Sequence, residues 1–110
     1  GFSQGCVMTL DAGLRYPEPL AVLVGISGYV SDPTSLEAEL ADHASSTPVL
    51  VTHGTLDPLI PIGASEGQVR HLKAHGVPLL EWKSYPKPHN VDFDTELGDI
   101  RDFIQRAFER

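Results

Sequence analysis

The sequence predicts an α/β fold in which a parallel sheet alternates with helices. Two observations carry that expectation. Residues 20–26 and 48–52 are continuous apolar runs of strand length without polar alternation, the pattern of strands covered on both faces. Between and after them lie segments whose apolar residues recur at helical spacing. Each strand is therefore followed by a helix, and parallel neighbours joined in this way have right-handed crossovers.

Taken in order, Val7, Leu10 and Leu14 give an amphipathic helix over residues 3–15 that stops before Pro17. The run 20–26 is the first core strand. Residues 27–33 contain Gly28, Ser31, Asp32 and Pro33, a loop composition, and residues 36–44 allow one short acidic helix, a connection too small for a large lid. Residues 48–52 form the second strand and end at His53-Gly54, before a turn with Asp57, Pro58 and Pro61. A helix over 64–75 turns Val69 and Leu72 inward and stops at Gly76. Residues 79–85 have a strand composition, with Trp82 in the core. After the loop 86–90, Leu97, Ile100, Phe103, Ile104, Ala107 and Phe108 mark a closing amphipathic helix.

Composition narrows the function. At 110 residues the chain is long enough for one domain with a modest core and too short for two. A net charge of −7, from 15 acidic and 8 basic residues, argues against nucleic acid or an anionic membrane surface as a partner. No apolar run reaches the length of a membrane span. The single cysteine, Cys6, has no internal disulfide partner, so a reducing, cytoplasmic setting is expected. No His/Cys spacing suggests a metal and no glycine-rich loop suggests nucleotide phosphates, so no cofactor is expected.

The chemistry-bearing stretch is Gly1-Phe2-Ser3-Gln4-Gly5, which reads G-x-S-x-G. That spacing suits a tight strand-to-helix turn that aims a serine hydroxyl into a cleft. The amide of Gln4 then lies at the positive end of the following helix, where it can receive a tetrahedral oxyanion. A plain glycine-rich turn is the alternative for five residues alone. In open α/β sheets reactive groups gather beyond the carboxyl ends of the strands. Asp57 follows the second strand and His89 the third, so both fall on the rim of Ser3, in the order Ser, Asp, His. Ser3 is the candidate nucleophile, His89 the base, and Asp57 the acid that fixes the His89 tautomer.

Rivals exist for two of these roles. His53, at a strand end before Gly54, reads as a packed, hydrogen-bonded residue rather than a base. His43, His71 and His75 lie on or beside helices, where a histidine is usually solvated. Asp92 and Asp94 are close enough to His89 to orient it, although the start of the last helix suits them as caps. Cys6 sits in a first helical turn, which can lower a thiol pKa, yet a small buried packing residue is the simpler reading.

Together, Gly1-Phe2-Ser3-Gln4-Gly5, the run from His53-Gly54-Thr55-Leu56-Asp57 to Pro61, and Pro88-His89 before a C-terminal helix resemble the phospholipase/carboxylesterase family of α/β-hydrolases. That family includes small bacterial carboxylesterases and acyl-protein thioesterases. The resemblance implies a three-layer α/β-hydrolase fold and the same assignment of Ser3, Asp57 and His89. This chain departs from the family at Cys6 and at Pro88, where glycine is usual; crowding of the acyl pocket and a stiffer His89 loop are the respective expectations. Members of the family also carry further strands before the elbow, together with the loop that gives a second oxyanion amide. The chain begins inside its motif, so it is expected to be the C-terminal half of a longer protein.

Two functions follow from the resemblance. One is a serine hydrolase of carboxylic esters or thioesters, acting on short to medium acyl groups through an acyl-enzyme. The other is a catalytically silent association module. In both, the strand 20–26 is expected to expose an edge, with the remaining half or a second copy as its partner. Val7, Leu10 and Leu14 are then expected to be partly wet.

Overall fold

The computed structural model describes residues 1–109. Helix α1 (Gln4–Arg15) leads to strand β1 (Leu23–Ile26), helix α2 (Pro33–Ala38) and a short 3-10 turn (Asp42–Ser46). Strand β2 (Val49–Gly54), helix α3 (Ile62–Ala74), strand β3 (Leu80–Tyr85) and helix α4 (Thr95–Phe108) complete the chain. The three strands are parallel in the order β1-β2-β3, with Leu23 opposite Val49 and Val49 opposite Leu80. No described helix is long and apolar enough to cross a membrane.

The alternation of side chains along each strand divides the core into two layers. Leu23, Val49, Val51 and Leu80 face Cys6, Leu10 and Leu14 of α1, Leu36 of α2, and Val69 and Leu72 of α3. On the opposite face Leu50 packs with Ile100 and Phe103 of α4, beside Val22, Val24 and Ile26. The sheet is thus the middle of three layers, and α4 alone covers one side. Leu10 and Leu14 are fully buried, where each contributes about 1.5–3 kcal/mol by leaving water. Only Val7 of the three residues expected to be wet remains partly exposed.

Three elements differ from expectation for local reasons. The expected strand over 20–26 begins its ladder only at Leu23, because its partner β2 starts at Val49, after Pro48, whose carbonyl accepts the Leu23 amide. The single helix expected over 36–44 is two pieces. Pro33 at the first turn and the Asp32 carboxylate on the Ser35 amide start α2 early. It ends when the Ala41 amide turns to the Leu14 carbonyl of α1 at 2.8 Å. His43, expected in water, is buried in the 3-10 turn, with Nδ1 2.7 Å from the Thr47 hydroxyl and Nε2 on the Tyr16 carbonyl.

The edge of β1 is not wholly open. Residues 1–3 lie along its last three residues: the Gly1 amino group donates to the Val24 carbonyl, Ile26 donates to the Gly1 carbonyl, and Ser3 donates to the Ile26 carbonyl, each at 2.8 Å. Phe2 bridges Ile26 in parallel, as a strand leading into the elbow would. At the end of β2, Gly54 allows the chain after β3 to come close. A Cβ there would lie 2.1 Å from the Lys87 carbonyl oxygen and 2.7 Å from that of Pro88, both backbone atoms. Gly54→Ala should therefore destabilise the fold by about 1–3 kcal/mol, as overpacking does. Chemical denaturation would show this as a lowered midpoint with an unchanged slope.

Candidate active site

Ser3 sits between the strand-like residues 1–2 and α1 with φ 58° and ψ −116°, a conformation that L-residues rarely adopt. Such strain is on the order of 1–3 kcal/mol and persists only where surrounding contacts fix the backbone. Here the Ile26 carbonyl holds the Ser3 amide, and the Ser3 carbonyl accepts from Cys6 and Val7 in the first turn of α1. Gly1 is required by space, since a Cβ would stand 2.3 Å from the Gly5 carbonyl oxygen. Beside Gly5 the space is open.

His89 follows β3 and reaches both other candidates. Its Nδ1 is 2.7 Å from Asp57 Oδ2, and its Nε2 is 2.9 Å from Ser3 Oγ. With Nδ1–H donated to the carboxylate, the Nε2 lone pair is left to accept the serine proton. The Phe2 ring packs beside His89 with centroids 5.0 Å apart. Asp57 lies after β2 with its side chain shielded from solvent. Its Oδ1 accepts from the Leu59 and Ile60 amides at 2.9 Å, closing a turn on itself. Burial pushes the Asp57 carboxyl up, but the Ile60 amide, His89 and the Leu59 amide together outweigh it and hold the group below its ordinary value.

The Gln4 amide opens α1 and has no hydrogen-bond partner among the described residues. It stands beside the serine at the positive end of the helix, free to receive a negative oxygen. The rival residues make other contacts. His53 is buried against Trp82, with Nε2 donating to the Ile60 carbonyl at 2.9 Å and lying 3.4 Å from Asp57 Oδ2, so it backs the Asp57 turn. Asp92 accepts the Asp94 amide, Asp94 makes no side-chain cap, and His89 takes its carboxylate from Asp57. Cys6 lies in the core, over Gly25 and Gly28, where added Cβ atoms would come within 2.6 Å of its Sγ. It fills the layer under the elbow instead of crowding a pocket, and burial pushes its thiol up to about 11.

Among the described residues, one cluster offers metal-type donors. Glu37, His71 and His75 bring a donor atom each within 4.8 Å on α2 and at the end of α3, and share no residue with the serine site. The two imidazoles stack with centroids 4.0 Å apart and His71 Nε2 is hydrogen-bonded to Glu37 at 2.9 Å, so the donors are already engaged with one another at the surface.

Sequence reasoning missed a buried ion pair beside His89. Lys87 Nζ and Glu96 Oε1 are 2.9 Å apart, and both side chains are almost entirely shielded. Lys87 also donates to the Ser27 hydroxyl at 3.2 Å and to the Asn90 carbonyl. A lysine between two prolines reads as a surface loop residue. The available signal was on α4, where Glu96, Ile100 and Phe103 share one buried face, so a carboxylate stands on an apolar stripe and requires a partner.

An elbow serine, a histidine and a carboxylate thus meet at the carboxyl ends of parallel strands in an α/β-hydrolase fold. Residues 1–108 match the family described as Phospholipase/Carboxylesterase, and the chain belongs to that family. It is 39% identical over 92 residues to an acyl-protein thioesterase 1 of Schizosaccharomyces pombe, covering 84% of this chain and 39% of the relative. It is 34% identical over 109 residues to the carboxylesterase SOBER1 of Arabidopsis thaliana, covering 99% and 47%. Among solved structures, Arabidopsis SOBER1 superposes with a TM-score of 0.89 at 34% identity, covering 98% of this chain and 51% of that one. Esterase PE8 gives 0.86 at 35%, covering 97% and 48%. The chain spans less than half the length of the curated relatives it matches.

Two outcomes are expected from these environments. The folded Asp57 carboxyl titrates below its unfolded value, so its ionised form adds stability above the ordinary carboxylate range, and that contribution is lost as pH falls through the depressed folded value. The difference in melting temperature between the wild type and Asp57→Asn should be largest near neutral pH and close on acidification. Cys6 should be inert to a thiol reagent in the native protein and react only on unfolding, which a thiol titration with and without denaturant would measure.

Proposed function

We propose that this chain carries the catalytic machinery of a serine hydrolase acting on carboxylic esters or thioesters with short to medium acyl groups. The observation that carries this reading is the position of His89, hydrogen-bonded to Asp57 on one nitrogen and to Ser3 Oγ on the other. Family membership and the names of the similar proteins, thioesterase and carboxylesterase, support the substrate class. Ser3 Oγ attacks the acyl carbon while His89 Nε2 takes its proton, and Asp57 stabilises the imidazolium. The carbonyl oxygen gathers negative charge against the Gln4 amide. His89 then protonates the departing alcohol or thiol, and a water activated by the same base releases the acid. No cofactor enters this scheme. A single cysteine supports a reducing, cytoplasmic setting.

A second reading, a catalytically silent half that only associates, is favoured by one observation: the chain spans less than half the length of its curated relatives, and if Gln4 is left as a lone oxyanion donor, loss of the second lowers turnover by about 10² to 10³. Its partner would be the remaining strands of a full-length relative or a second copy, paired along the part of the β1 edge that residues 1–3 leave free. A fluorophosphonate probe separates the two readings. Labelling of the chain at Ser3, absent in Ser3→Ala, supports the hydrolase; absence of label in the wild type supports the silent module. In a protein with the remaining strands present, p-nitrophenyl esters should give an acyl-enzyme burst that Ser3→Ala abolishes. Asp57→Asn should lower kcat by on the order of 10³ to 10⁴ with little change in KM.

A further inference from the structure

We propose that Lys87, fastened to Glu96 and Ser27, is the positioning residue of this site and sets how far His89 reaches toward Ser3. The inference rests on the hydrolase reading for its kinetic consequence and on geometry alone for its structural one. An ammonium has three protons to donate, and Lys87 has three acceptors: Glu96 Oε1 on α4, the Ser27 hydroxyl after β1, and the Asn90 carbonyl just beyond His89. Glu96 Oε1 also accepts the Asp92 amide at 2.9 Å, which draws in the far side of the same loop. The Lys87 carbonyl meanwhile accepts the Leu56 amide at 3.1 Å, one residue before Asp57. One residue therefore touches all three limbs of the site.

These contacts close a ring. The Ser3 amide is held by the Ile26 carbonyl; Ser27, the next residue, holds Lys87; and two residues along the chain His89 returns to Ser3 Oγ. Ser27 is itself fixed, fully buried at φ 58° with its amide on the Thr52 carbonyl. Opening the ring at Lys87 frees the His89 loop to move relative to the elbow. Stability does not explain the pair. Well-packed apolar residues usually serve a shielded position at least as well as an ion pair, and Glu96 Oε2 is left without a partner. What charge supplies here is direction: three bonds converging on one nitrogen fix where the loop sits.

The test separates positioning from stability. Lys87→Met leaves a buried carboxylate unpaired and should lower the melting temperature, whereas Lys87→Met/Glu96→Leu replaces both charges with apolar groups and should recover it. Measured well below the melting temperature, fluorophosphonate labelling of Ser3 should fall 10- to 100-fold in both variants. Hydrolysis of p-nitrophenyl acetate should fall in kcat by the same factor with KM unchanged. A double variant that recovers both melting temperature and labelling would overturn the proposal and make the pair purely structural. Should the wild type not label at all, the hydrolase reading fails, and positioning is decided by NMR on the Phe2–His89 ring contact. Loss of that contact in the stable double variant supports positioning, and its retention overturns it.

Discussion

Strand polarity is the constraint on which the rest of this structure depends. Because β1, β2 and β3 all run the same way, their carboxyl ends meet at one rim. Asp57 and His89 follow two of those ends, and Ser3 is drawn to the same rim by the bond from its amide to Ile26, the last residue of the third. An antiparallel pairing of any strand would send one of these residues to the opposite edge. The site thus follows from two parallel crossovers whose helices, α2 and α3, pack on one face of the sheet, and its residues come together although 86 positions of sequence separate Ser3 from His89.

Polarity alone brings the loops within range; shielded polar contacts set the distances. Asp57 is closed by two amides of its own turn and backed by His53. The His89 loop is closed by Lys87, Glu96 and the approach that Gly54 permits. The Asp57, Lys87 and Glu96 side chains are almost entirely shielded from water, so the bonds between shielded partners are stronger than they would be at the surface and an unmade one is more harmful. The strained Ser3 backbone belongs with these devices, since nothing local favours it and only the fixed carbonyl of Ile26 and the start of α1 hold it there.

What was legible in the sequence follows from which interactions are local. Helix periodicity and apolar strand runs gave the element order and the rim of Asp57 and His89, because both patterns arise within a few residues of themselves. The ladder of β1 begins late and α2 ends early for reasons of pairing with distant residues, Pro48 in one case and Leu14 in the other. His43 was misread for the same reason: its burial depends on the Tyr16 carbonyl, 27 positions away. Lys87 was invisible because prolines on both sides mimic an exposed loop, while Glu96 on the buried face of α4 was a sign that periodicity counts only apolar residues and so passes over.

The two faces of the sheet and its lateral edge stand in different positions. The face under α1, α2 and α3 is closed by helices of this chain, as the full burial of Leu10, Leu14 and Leu36 shows, whereas on the α4 face Leu50 is fully buried but Val22, Val24 and Ile26 remain partly exposed. The edge of β1 is closed only as far as Gly1, whose amino group meets Val24. Below that point the strand direction continues through Val22, which packs against α4 but has no strand beside it among the described residues. Residues 1–3 hold the Val24 and Ile26 carbonyls from that side, so the part of the edge that is paired is the part that carries the elbow.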